Sequence, residues 1–184
     1  MKKLFAIVTL GLASTAFAAD YLAVDVGHVN GLHGSKDSTA EYVRGGKSFG
    51  DYQIDLQSRT ARYYNGDLGN NVEVYTSNKQ INLAGIKPFV GVGYDNGLNG
   101  ANGKAYEYGL VGASYGIQAG PGSALLSAKT RMFSSEGGTR TKQTLAQATY
   151  SVPVAKNVSV NFNAKKSFQD IKENEIGLGL ALSF

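Results

Sequence analysis

The chain ends in Glu175-Ile176-Gly177-Leu178-Gly179-Leu180-Ala181-Leu182-Ser183-Phe184. Ile176, Leu178, Leu180, Leu182 and Phe184 are apolar, and small or polar residues stand between them. Side chains of a strand alternate between its two faces, so this period of two specifies a strand with unlike sides. The same alternation recurs upstream. Val158, Val160, Phe162 and Ala164 oppose Ser159, Asn161, Asn163 and Lys165. Ala124, Leu126, Ala128 and Met132 oppose Ser127, Lys129 and Arg131. Tyr52, Ile54 and Leu56 oppose Gln53, Asp55 and Gln57, and Leu22, Val24 and Val26 oppose Ala23, Asp25 and Gly27. Weaker segments lie near 40–47, 71–81, 87–95, 104–117 and 141–152. The least regular is 71–81, where Val72 and Val74 alternate but Ser77 to Gln80 do not. Ten strands result, or eight if one hairpin is a loop.

The connections have two lengths. Those near 29–39, 64–70, 96–103, 134–140 and 168–174 are long and polar, and include Asn65-Gly66-Asp67, Asn96-Gly97-Leu98-Asn99-Gly100 and Glu136-Gly137-Gly138. Those near 48–50, 82–86, 118–122 and 153–156 are short, and Pro88, Pro121 and Pro153 lie in or beside them. Proline breaks a ladder but suits a strand start or turn. Long and short connections alternating along the chain predict an up-and-down barrel with short turns at one rim and long loops at the other.

Before the strands stands an address. Lys2 and Lys3, the apolar run Leu4 to Leu12, and Ala16-Phe17-Ala18 have the charged start, core and small-x-small site of a secretory signal. Residues 1–18 are therefore expected to be removed, leaving 19–184 as one domain of an exported bacterial protein. The loss of Lys2 and Lys3 lowers the formal charge of +4 by two.

Composition narrows the class. The 184 residues include no Cys, so disulfides, thiolate metal sites, a Cys nucleophile and a lipid-anchored N-terminal cysteine are excluded. The modest charge is unlike that of a nucleic-acid binder. A mean hydropathy of −0.18 and the lack of a long apolar run exclude a helical span. A barrel is compatible with such averages, because its strands alternate. Ten tilted spans of about 9–11 residues use roughly 100 residues of the mature chain.

A soluble sandwich alternates too, with its apolar side inward. Asp25, Asp55, Arg59, Lys129, Arg131, Lys165 and Glu175 fall on the polar faces. They could pair as a charge network in a narrow lumen or be solvated on a sandwich. Aromatic placement favours the membrane. Counting along the strands puts Tyr21, Phe49, Tyr52, Phe89, Tyr115, Tyr150 and Phe184 near the short-turn rim. It puts Tyr42, Tyr63, Tyr64, Tyr75, Tyr94, Tyr106, Tyr108, Phe133 and Phe168 near the long-loop rim, and leaves Phe162 in mid-strand. Two aromatic girdles around small aliphatics suit a bilayer.

With Leu178, Leu180, Leu182 and the terminal Phe184, the carboxy terminus resembles the assembly signal of bacterial outer-membrane barrels. Together with the signal peptide and the Gly- and Tyr-rich alternation, the mature chain resembles the small outer-membrane β-barrel (porin-like) superfamily. This resemblance implies an all-β, antiparallel transmembrane barrel in the outer membrane of a Gram-negative bacterium. It implies contact with outer-membrane lipid and lipopolysaccharide, and passage through periplasmic chaperones and the barrel-assembly machinery. No external ligand, cofactor, metal or nucleic acid is implied.

His33-Gly34-Ser35, with Asp37 and Glu41 near, has the local letters of outer-membrane lipid A deacylases. That family places the pair on a late, lipid-facing strand, whereas here it lies in the first loop. His28 and His33 are the only histidines, and neither has a spacing that suggests an Asp–His pair or a complete metal site. Asp95 to Gly100 lacks the closing Glu of a calcium loop and reads as an Asn/Gly turn cluster. Gly91-Val92-Gly93 lacks the strand-to-helix context of a dinucleotide site. Asn157-Val158-Ser159, a glycosylation triplet, falls at a turn. The reading is a non-enzymatic barrel, structural or loop-presenting, with a largely plugged lumen. The alternatives are a small-solute channel, a lipid A-modifying enzyme and a soluble sandwich.

Overall fold

The computed structural model describes residues 20–30, 38–62, 68–96, 105–133, 142–169 and 173–184. The predicted signal peptide, His33-Gly34-Ser35, Asp37, Tyr63 and Tyr64 lie outside the described residues, as do Asn65-Gly66-Asp67, Gly97 to Gly100 and Glu136-Gly137-Gly138. The described residues form ten strands: β1 (Tyr21–Asn30), β2 (Ser38–Phe49), β3 (Tyr52–Arg62), β4 (Leu68–Asn78), β5 (Ile86–Asp95), β6 (Tyr106–Ala119), β7 (Gly122–Phe133), β8 (Lys142–Ala155), β9 (Val158–Gln169) and β10 (Asn174–Ser183).

Each strand pairs antiparallel with its neighbours in sequence, and β1 pairs with β10, so the sheet closes. The closing seam runs from Tyr21↔Ser183 to Asn30↔Asn174. Phe184 extends it by donating its N–H to the Asp20 carbonyl at 3.1 Å. Closure leaves no sheet edge, so the wall meets its own hydrogen-bonding demand, as a hydrocarbon environment requires.

Three of the four short connections are tighter than expected. Gly50-Asp51, Gly120-Pro121 and Lys156-Asn157 are all that separate their strands. Gly50 and Gly120 adopt φ of 56° and 58°, as a hairpin turn with glycine at its first central position demands. Pro153 sits at a register shift where Val154 is the extra residue, a place that tolerates a missing N–H. The fourth connection, 79–85, is longer. It is closed by reciprocal backbone bonds between Leu83 and Ile86, and Ala84 and Gly85 adopt positive φ. Here the β4–β5 ladder runs only from Asn71↔Asp95 to Thr76↔Val90. Pro88 lies beyond its last pair, so no β4 partner faces it, while on its other side it pairs with Ala113 of β6. The irregular 71–81 segment is thus a strand after all, shifted to Leu68–Asn78, with Ser77 and Asn78 paired to Gln53 and Tyr52. The eight-strand alternative fails at this point.

The polarity is inverted relative to a soluble protein. Ile176, Leu178 and Leu180 are 75%, 55% and 56% exposed, whereas Asp25 and Arg59 are 3% exposed and Glu73 is 0% exposed. A continuous apolar exterior this large marks a lipid-facing surface. The sandwich alternative, which needs its apolar side chains inside, fails here too. The molecule is a transmembrane barrel of the outer-membrane type.

The separation of faces has exceptions. Val29, Leu110 and Leu145 point inward and are buried, while Glu41, Glu107 and Lys166 point outward near the long-loop rim. The aromatic assignment needs a larger correction. Phe49, Tyr52, Tyr115, Tyr150, Phe184, Tyr94 and Phe168 share the outward face, as two girdles require. Tyr21, Tyr42, Tyr75, Phe89, Tyr106 and Tyr108 instead share the inward face of their strands with buried polar residues. For Tyr21, Tyr42 and Tyr108 the physical reason is the hydroxyl, which donates to a carboxylate in the bore, while Phe89 packs on the Tyr75 ring.

Candidate functional site: the charged bore

Alternation on β1 turns Asp25 inward, and Arg44 on the adjacent β2 reaches it. Arg44 Nε and Nη2 donate to Asp25 Oδ2 at 2.9 and 2.6 Å. Asn163, from β9 on the far side of the closing seam, donates to Asp25 Oδ1 at 2.8 Å. One carboxylate thus joins the first, second and ninth strands.

Two larger clusters lie in the bore toward the long-loop rim. In the first, Glu73 on β4 is fully buried and faces two cations from β7. Arg131 Nε donates to Glu73 Oε1 at 2.7 Å, and Lys129 pairs with Glu73 Oε2. Tyr108 donates its hydroxyl proton to Glu73 Oε1 at 3.0 Å, and Gln57 Nε2 donates to Oε2 at 3.2 Å. Arg131 Nη1 in turn donates to Gln143 at 2.8 Å and its guanidinium lies 5.4 Å from the Tyr108 ring centre. In the second cluster, Lys165 and Arg59 face Glu173 and Glu175. Lys165 Nζ lies 2.8 Å from Glu175 and 3.2 Å from Glu173, and Arg59 Nη2 lies 3.1 Å from Glu173 and 3.6 Å from Glu175. Tyr42 donates to Glu175 at 2.7 Å, with Lys165 5.1 Å from its ring centre.

These pairs are costly to desolvate and hold only because nearly every lone pair and proton finds a partner. Removing one member would leave an uncompensated charge. Their span matters as much as their energy: Arg59 and Glu173 are joined across the bore from β3 to the edge of β10.

Glu173 stands just before β10, outside the spanning strands. Its N–H is held by Ser167 Oγ at 2.9 Å and its carbonyl accepts from the Ser167 N–H at 2.8 Å. Burial pushes its carboxyl pKa up, but Lys165 and Arg59 outweigh that effect and hold it down at about 2. At the opposite rim, hydrogen bonds from Ser48 hold the Asp20 carboxyl below its ordinary value.

The seven lumen charges named from the sequence all face the bore. Arg59, Lys129, Arg131, Lys165 and Glu175 enter the two clusters. Asp25 has its own pair. Asp55 stands apart, near the short-turn rim, with Tyr21 Oη and Gln53 Nε2 donating to its Oδ1 at 2.8 and 3.2 Å. Sequence reasoning missed Arg44, Glu73, Glu173, Tyr42 and Tyr108. Glu73 and Tyr75 could have been found, since they share parity opposite Val72 and Val74. Glu173 could not, because it precedes its strand. Leu178, Leu180 and Leu182 lie on the exposed face of β10, with Phe184 77% exposed beyond them. Of the groups considered for catalysis, His28 and Glu41 face outward on β1 and β2.

Below the clusters the bore widens into a cavity of about 590 Å³ that opens at the short-turn rim. Tyr21, Tyr75 and Phe89 form part of its wall, together with Gln53, Ser77 and Ser127.

No family description matches the chain. No curated protein matches it either. Among solved structures, the chain is similar to Neisserial surface protein A at 12% identity, over 89% of this chain and 96% of that one, with a TM-score of 0.44. It is similar to the NanC porin at 10% identity, over 89% and 100%, with a TM-score of 0.46. It is also similar to the translocator domain of the autotransporter NalP from Neisseria meningitidis at 8% identity, over 100% and 95%, with a TM-score of 0.48.

Proposed function

We propose that this chain is a non-enzymatic barrel of the bacterial outer membrane, built to hold a plugged bore and to carry its long connections on the outer surface. The observation that supports this reading is the pair of buried ion clusters on the long-loop side of the bore. Short turns then face the periplasm and long connections face the medium. Apolar strand faces meet lipid, with lipopolysaccharide in the outer leaflet.

The reading predicts negligible conductance. Purified protein in planar bilayers should give no stable unitary current, because Glu73, Arg131, Arg59 and Glu173 block the path. Large, stable unitary currents would sink the plug and install the channel reading. That second reading has one supporting observation, the cavity below the clusters, which leaves only part of the bore to be opened.

Leu178, Leu180, Leu182 and Phe184 would serve the assembly machinery, and periplasmic chaperones would deliver the unfolded chain to it. Phe184 also carries the last backbone bond of the closing seam. Deleting it should lower the amount of heat-modifiable barrel recovered from outer membranes. Unchanged recovery would remove that role.

A further inference from the structure

The bore repeats one device. A carboxylate and a tyrosine hold an ammonium between them: Glu175 and Tyr42 hold Lys165, and Glu73 and Tyr75 hold Lys129, whose Nζ lies 5.7 Å from the Tyr75 ring centre. Carboxylate and ring both favour a cation, the first by a charge-assisted hydrogen bond and the second by its π face.

Asp55 lies beside the same Tyr75 ring with no ion pair of its own among the described residues; Lys129, over that ring, and Arg44 line the same cavity but are paired with Glu73 and Asp25. Asp55 sits opposite Tyr75 in the β3–β4 register and accepts the Tyr21 hydroxyl. The Tyr75 ring is backed by Phe89, with centres 5.4 Å apart. Both donors to Asp55 are neutral and both use Oδ1, and Asp55 lines the cavity. Nearer the mouth, Lys87 lines the same cavity and is exposed, with no carboxylate partner among the described residues. Lys79 lines it as well, its Nζ donating to the Gly50 carbonyl at 3.3 Å.

We propose that this cavity binds a small zwitterion, an amino acid or short peptide in size and charge, with its ammonium on Asp55 between Tyr21 and Tyr75 and its anionic end toward Lys87. The lysines at the mouth select against simple dications, which gain only one favourable partner. The anionic end turns that repulsion into attraction. The ligand enters from the short-turn side, because the ion clusters close the other. The proposal goes beyond the structural reading above and survives or fails separately from it.

Dialanine, its N-acetyl form and its C-terminal amide are suitable probes, followed by saturation-transfer NMR against the refolded mature protein in detergent micelles. A lost ammonium contact of the charged hydrogen-bond class corresponds to about tenfold in affinity or more. Dialanine should bind, N-acetylation should weaken it about tenfold, and amidation should weaken it by a smaller factor. Asp55→Asn, checked by heat-modifiable mobility, should reduce dialanine to the acetylated level. Lys87→Gln, at an exposed site that does not bear on folding, should abolish the difference between dialanine and its amide. Equal binding of free and acetylated dialanine, no binding at millimolar concentration, or an amide difference that persists in Lys87→Gln would each overturn the proposal. Conductance has no bearing on these outcomes, so failure here leaves the plug untouched.

Discussion

A Cβ on Gly93 would enter the Tyr108 ring, and that ring cannot yield, because its hydroxyl is committed to Asn71 and Glu73. Gly112 makes the same room for Phe89, and Gly46 for Tyr21 and Asp55. These glycines are seats for inward aromatic rings, a device that trades strand propensity for cross-strand packing. Gly93→Ala should therefore destabilise the barrel by roughly 1–3 kcal/mol, the range for overpacking. Gly109 is the control, since nothing lies within 4 Å of its added Cβ. Gly109→Ala should stay within about 0.5 kcal/mol, as surface substitutions do. Urea unfolding from lipid vesicles measures both, and equal effects would show that the glycines matter only for strand propensity. Inward aromatics were illegible in the sequence for a definite reason. A period of two separates faces without saying which is inside, and tyrosine suits either side, with an apolar body and a polar tip. Distance along the strand placed Tyr42, Tyr75 and Tyr108 at a rim. Parity with Glu73, read first, would have turned Tyr75 inward.

Elements differ in how well they can be read. β10 and β9 carry strict alternation and were legible outright. β4 was obscure because Thr76, Ser77 and Asn78 carry no apolar signal; pairing with β3 makes them a strand. The short connection expected near 82–86 runs instead over 79–85, ends the β4–β5 ladder early and leaves Ile81, Leu83 and Ile86 exposed at the rim. Glu173 shows how a connection can be tied to the bore by charge. Its folded pKa of about 2 lies below the ordinary value of 4.5. A depressed carboxylate contributes stability that is fully present above pH 4.5 and is lost as pH falls toward 2. Hydrogen exchange of the Glu173 amide, held by Ser167, should therefore quicken across that window beyond the intrinsic pH dependence of exchange. Glu173→Gln should exchange faster at neutral pH and lack the acid step. An unchanged protection factor between neutral pH and pH 2 in the parent protein would refute the charge tie.

For the whole molecule, inverted polarity makes stability depend on depth in the bilayer rather than on a packed core. Fold and strand order were readable because most outward positions repeat one chemistry, so errors in single residues average out. The charge network in the bore was less readable, because its geometry comes from strands distant in sequence: Arg59 reaches Glu173 and Asn163 reaches Asp25 only once the sheet has closed. A pair of substitutions on one face of β10 tests the arrangement. Leu180 lies in mid-wall, paired with Val24 and Val160, and is 56% exposed. Leu182 lies one outward position nearer the short-turn rim, paired with Leu22 and Val158. In a bilayer, Leu180→Lys should cost roughly 2–4 kcal/mol, because the ammonium is stranded in hydrocarbon, whereas Leu182→Lys should cost about 0–1 kcal/mol near the interface. In water both exposed positions would accept lysine with little effect. Folding free energies measured in vesicles should therefore separate the two variants by more than about 1 kcal/mol, and the gap should narrow in lipids with shorter chains, which bring the interface closer to Leu180. Indistinguishable costs in thick and thin bilayers alike would mean that the exposed face of β10 does not meet lipid.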